Sequence, residues 1–188
     1  MRNITIFLAA ILLGGCMLKT DVKPALMYEI YYSKNVCEQK TSPKNIYLQS
    51  VKALDIVDNR QILIISDKNQ IRYLDDIKYL ALPSEMFYKA LLKGVYSNCG
   101  AKPVFSPKDD DLSLKVRLIS LQIRGDHAEV SLAYELKNGE NIVKSGLINK
   151  RKFCENPKSV TIFNTINQTA NLAIDELLAE IFATQGRE

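Results

Sequence analysis

Histidine occurs once in this chain, at His127, and tryptophan is absent. Proteolytic triads and imidazole general bases draw on histidine, and His127 stands beside the turn-forming pair Gly125-Asp126 with no serine or cysteine nucleophile motif near it. Glycine is scarce, eight residues in 188, and none of them builds a loop that could cradle a phosphate. His-Glu-x-x-His and Cys-x-x-Cys are missing as well, so no catalysis, metal or cofactor is expected from motif chemistry. Charge is never concentrated in one sign. The formal net charge is +4, with Lys and Arg scattered among Asp and Glu, whereas nucleic-acid binders carry a clustered basic stripe. The run Asp109-Asp110-Asp111 follows Ser106-Pro107-Lys108 and reads as a solvated loop before it reads as a cation site. An apolar stretch long enough to span a membrane is lacking at the N-terminus: Ile4 to Leu13 is ten residues, about 15 Å of helix against a hydrocarbon core of about 30 Å.

What is present begins with that short stretch. Arg2, the uncharged run Ile4 to Leu13 and then Gly14-Gly15 have the order of an export signal: a basic start, an apolar middle, small residues at a cut site. Leu13-Gly14-Gly15-Cys16 resembles the lipobox of bacterial lipoproteins, in which the cysteine is acylated and becomes the first residue. The resemblance implies cleavage before Cys16 and a lipid anchor on its thiol. Each buried CH₂ of an acyl chain contributes about 0.8 kcal/mol, so several chains hold where one would not. Among lipoproteins an Asp after the cysteine favours retention at the inner membrane; Met17 stands there, so the outer membrane, periplasmic face, is expected, with the inner membrane as the alternative. The competing reading of the stretch is an ordinary signal peptide with a chance cysteine, or an apolar strand.

Three spans follow: a signal peptide over 1–15, a lipidated tether over 16–27 broken up by Lys19, Thr20, Asp21, Lys23 and Pro24, and one domain over 28–188. Such a domain is long enough to bury a core. Cys37, Cys99 and Cys154 remain. An oxidising compartment permits one disulfide among them, in any of three pairings, and the spacing does not resemble paired zinc ligands. Buried free thiols are the plainer reading.

Tyr28 to Ser33 and the segment carrying Ile46, Leu48 and Val51 read as strands. Gln61 to Ser66, with four consecutive aliphatic residues, suits a strand buried on both faces, and Gln70 to Leu74 is placed to return beside it. Between Pro83 and Gly100 the period changes: Met86, Phe87, Ala90, Leu91, Gly94 and Val95 share one helical face. Leu112, Leu114, Val116 and Leu118 alternate, but Ile119, Leu121 and Ile123 fall one step out of phase, which predicts a β-bulge near Leu118 to Ile119. Ala128 to Leu136 alternates cleanly, Asn138-Gly139 reads as a type I′ hairpin turn, and Ile142 to Phe153 follows as a third strand. From about Ser159 a second helix carries Phe163, Ile166, Ala170, Ala173, Ile174, Leu177, Leu178 and Ile181 on one face. Such faces line a core more often than a lipid groove. The fold expected is α+β, a mainly antiparallel sheet of about six or seven strands with two helices packed on one face.

Taken in order, Tyr28-Glu29-Ile30-Tyr31-Tyr32, then Ile46 to Val51, then Asp58-Asn59-Arg60-Gln61-Ile62, then Tyr79-Leu80-Ala81-Leu82-Pro83 leading into the first helix, the chain resembles the ABC-type transport auxiliary lipoproteins. This family includes the lipoprotein component of paraquat-inducible transport systems. The resemblance runs from about Tyr28 to Phe182 and rests on order and spacing. It implies a non-catalytic periplasmic accessory of an MCE-type system moving phospholipids between the inner and outer membranes, with an MCE-domain protein, an ABC permease and an ATPase as partners. It also implies homo-oligomers in some members. Only Cys16 transfers as a residue with a role. The alternative reading is an envelope scaffold or activator, for example of peptidoglycan synthesis, since fold does not fix function.

Overall fold

The computed structural model describes residues 24–34, 44–97 and 101–183. Eleven elements lie in them: β1 (Leu26–Tyr28), β2 (Lys44–Leu48), β3 (Lys52–Ala53), β4 (Gln61–Ile65), β5 (Ile71–Tyr79), α1 (Pro83–Tyr96), β6 (Ala101–Val104), β7 (Leu112–Arg124), β8 (His127–Asn138), β9 (Asn141–Phe153) and α2 (Ser159–Ala183).

Strand β7 is the spine of a single nine-stranded sheet. Along one side it pairs antiparallel with β8, and β8 with β9. Its other side is shared by three short strands, all parallel to it: β2 opposite Leu112 to Leu114, β3 opposite Arg117 and Leu118, and β4 opposite Gln122 to Arg124. From β4 the sheet continues through antiparallel β5 to parallel β1, and from β2 to parallel β6. Most residue pairs are antiparallel because the meander β7–β9 is long. The strand number exceeds the expected six or seven: two-residue β3 and Pro-containing β6 are too short to leave a periodicity.

The phase slip in β7 is a bulge. Leu118 pairs with Leu132 and Ser120 with Ser131, leaving Ile119 unopposed, and Leu114, Val116, Leu118 and Leu121 thereby all reach the buried face. The β8–β9 hairpin is present but turns one residue later than read. Asn138 pairs with Asn141, and only Gly139, the first of the two loop residues, has positive φ (55°), the pattern of a type II′ turn. At the β7–β8 turn Gly125 has φ 58°, a backbone conformation that favours glycine.

Both helices lie against the buried face, α2 over β8 and β9, α1 over β3 and β6 and beside α2. Every apolar position read for the two helices is buried. Gly94 sets how close they come: a Cβ would stand 2.9 Å from Leu178 Cδ1. Across the sheet, β4 is buried at Ile62, Leu63, Ile64 and Ile65 alike. The outer face of the meander is polar, with Glu129 bridging Arg124 (3.1 Å) and Arg151 (3.0 Å) and Ser120 bonded to Ser131 (2.8 Å).

Candidate functional site

The segment that follows the tether is gripped by both helices. Tyr28 to Ser33 does not form the strand its composition suggests; strand pairing ends at Tyr28, and the chain then runs as a strap along α2. Two asparagines, four residues apart on that helix, take over the hydrogen bonding a neighbouring strand would supply. Tyr31 N donates to Asn167 Oδ1 (3.0 Å), Ser33 N to Asn171 Oδ1 (3.1 Å), and Asn171 Nδ2 donates to Tyr31 O (2.8 Å). Both asparagine side chains are buried, where an unpaired amide would be costly. Side chains complete the grip. Tyr32 donates to Asp175 Oδ1 (2.8 Å), Lys34 pairs with Asp175 Oδ2 (2.5 Å), and Glu29 pairs with Lys89 on α1 (2.5 Å). Burial, reinforced by the Asp175 carboxylate, pushes the Tyr32 phenol well above its ordinary range. The strap's signal in the sequence, two asparagines interrupting an apolar helical stripe, names no partner.

At the far end of the meander a cleft of about 310 Å³ opens between the β7–β8 turn and the start of α2, lined by Ile64, Ile123, Phe153 and Ile162 with Arg72 and Glu155. Cys154 lines it as a buried free thiol whose Sγ–H donates to Asn156 O (3.2 Å). Cys37 and Cys99, like Cys16, lie outside the described residues. His127 is held by Asp126 (Nδ1···Oδ1 2.5 Å) and meets Phe153 edge-on at 5.7 Å, while Cys154, next along the strand, bonds to backbone. The pair therefore forms no thiol–imidazole dyad.

Asp111 closes its own loop. Its carboxylate accepts from Lys108 N (2.9 Å) and from Asn45 Nδ2 (2.8 Å), and these bonds, the backbone one first, hold its carboxyl below the ordinary range. No group of three metal-ligating side chains occurs among the described residues, and no helix among them is long and apolar enough to cross a membrane. Among the described residues one buried side-chain oxygen lacks a hydrogen-bond partner, the Tyr79 hydroxyl, and burial alone drives that phenol upward.

No family model and no curated protein matches the chain. Solved structures do. A Xanthomonas campestris protein of family DUF330 superposes with a TM-score of 0.74 at 11% identity, covering 85% of this chain and 96% of its own. An uncharacterized protein gives 0.70 at 11% identity, over 84% of this chain and 98% of its own. A Chlamydia trachomatis protein gives 0.50 at 7% identity, over 74% and 96%. At such identities the likeness is one of fold, and it spans almost the whole of each neighbour.

Proposed function

We propose that this chain is a membrane-anchored periplasmic lipoprotein that serves, without catalysis of its own, as an accessory component of an MCE-type ABC transport system carrying phospholipid between the inner and outer membranes. The observation that carries the reading is the lipobox-like Leu13-Gly14-Gly15-Cys16 placed ten residues ahead of a domain whose first strand is Leu26–Tyr28. The order of segments along the sequence resembles that of the auxiliary lipoproteins, and the fold is shared with a DUF330 protein. In this reading the MCE protein, permease and ATPase do the moving. The lipoprotein supplies a fixed point at the outer membrane.

Chemical crosslinking in whole cells followed by purification of the tagged chain tests it. The expected result is recovery of an MCE-domain protein together with ABC subunits and bound phospholipid. Recovery instead of cell-wall synthesis enzymes, with outer-membrane lipid asymmetry unchanged on deletion, would move the assignment to an envelope activator.

A further inference from the structure

Alternation along the strands lays out the outer face of the sheet. Val116 and Leu118 are buried on β7, so the exposed Lys115 and Arg117 point away from the helices, and Ala133 and Glu135 do the same between the buried Leu132, Tyr134 and Leu136 of β8. On β3, Ala53 packs against the core and Lys52 faces outward. The register sets these side chains next to one another: Lys52 opposite Arg117, Arg117 opposite Ala133, Lys115 opposite Glu135. Paired strands stand about 4.8 Å apart, so three cations occupy adjacent positions, and like charges facing each other across a strand pair repel. Elsewhere on this face the cations have partners. Glu129 takes both Arg124 and Arg151, and Glu135 stands 3.5 Å from Lys137. Among the described residues no carboxylate lies within ion-pair distance of Lys52, Lys115 or Arg117.

The uncompensated charge coincides with a hollow. The side chain of Ala133 is a single methyl group, and a shallow concavity of about 320 Å³ opens there, lined by Lys115, Arg117, Ala133 and Glu135; Lys52 stands on the far side of Arg117 from Ala133. We infer that this hollow is a binding site for a phosphomonoester-type anion, with Arg117 at its centre. A planar guanidinium takes two oxygens of a phosphate at once, Lys115 meets the third, and Lys52 adds charge from behind. The charge count selects the class. A carboxylate brings one negative charge and two oxygens, whereas a phosphomonoester at neutral pH brings about −1.5 to −2 and three acceptor oxygens, closer to what three unpaired cations need. The site needs neither the lipid anchor nor the transport reading, so the crosslinking experiment and the one below fail independently.

Isothermal titration of the full chain in neutral detergent micelles tests the site with three probes: glycerol 3-phosphate, glycerate as its carboxylate counterpart, and dihexanoyl phosphatidic acid, which carries the same phosphate on a lipid. Glycerol 3-phosphate is expected to bind saturably, and glycerate about tenfold more weakly. Arg117→Gln is expected to weaken the phosphate by about tenfold or more, the scale of a lost charged hydrogen bond. Arg117→Lys, which keeps the charge and loses the fork, should weaken it as well, and it repeats the test if Arg117→Gln disturbs the circular dichroism spectrum. Lys68→Gln, at an exposed lysine in the β4–β5 turn, should change nothing. Arg117-dependent binding of glycerol 3-phosphate alone assigns the site to a free phosphomonoester, and of phosphatidic acid alone to a lipid headgroup; both keep the site. Absence of Arg117-dependent binding for either phosphate overturns it. Equal affinity for glycerate, or equal losses in Arg117→Gln and Lys68→Gln, also overturns it, because diffuse positive charge then accounts for the binding.

Discussion

Asn171 ties distant parts of the chain together through bonds to Tyr31 O and Ser33 N, and its Nδ2 also donates to Asn167 O one turn back on its own helix. Replacing it by leucine keeps the volume and leaves the Tyr31 carbonyl and the Ser33 amide, both in part-buried bonds, without this partner, at a cost of about 1 kcal/mol. Asn171→Leu is therefore expected to speed hydrogen exchange at Tyr31 and Ser33 while α2 stays protected; unchanged exchange at both amides would show that the strap is held by other contacts. Cys154 gives a second expectation. As a buried thiol bonded to Asn156 O, it should resist alkylation in the native protein and react once unfolded, and a native disulfide through Cys154 would contradict the structure. At this scale the sequence exposed what repeats and hid what does not. The apolar helical faces were legible because each position predicts its neighbours. Asn167 and Asn171 were not, because their partners lie more than 130 residues away in the chain.

Among the elements, the β7 bulge was readable because a bulge is the one device that returns an out-of-phase apolar set to the core. The β8–β9 turn was readable in place but not in type, since Asn138 joins the ladder and the loop shifts to Gly139-Glu140. The start of α1 shows a tertiary device. Leu82 at the N-cap offers no side-chain bond, and Asp58, 26 residues back, accepts from Ser84 N instead. Removing a capping acceptor costs about 1 kcal/mol. Asp58→Ala should thus lower the unfolding midpoint by about 2–4 °C for a chain of this size, measured by calorimetry; no shift would mean water serves Ser84 equally well. The pairing of β2, β3 and β4 in turn along one side of β7 left no trace in the sequence, because parallel partners are set by topology and not by local pattern.

For the molecule as a whole, the branched sheet ends in three strands, β1, β6 and β9. β1 exposes Leu26 and Met27, while β9 exposes Lys152 and Arg151 among Ile142, Val143, Leu147 and Phe153 and is tied to α2 by Lys144–Glu180 and Lys150–Glu176. Charged residues on a long free edge discourage pairing with other strands. The layered α+β plan was legible from alternating and helical periods. The expectation of an anchor rests on four residues, Leu13 to Cys16, which lie outside the described residues, and the strap emerged only from contacts between segments. Mass spectrometry of the N-terminal peptide from native membranes tests the account most directly. It predicts a chain beginning at Cys16 and carrying acyl groups, and an uncut, unmodified N-terminus starting at Met1 would contradict it.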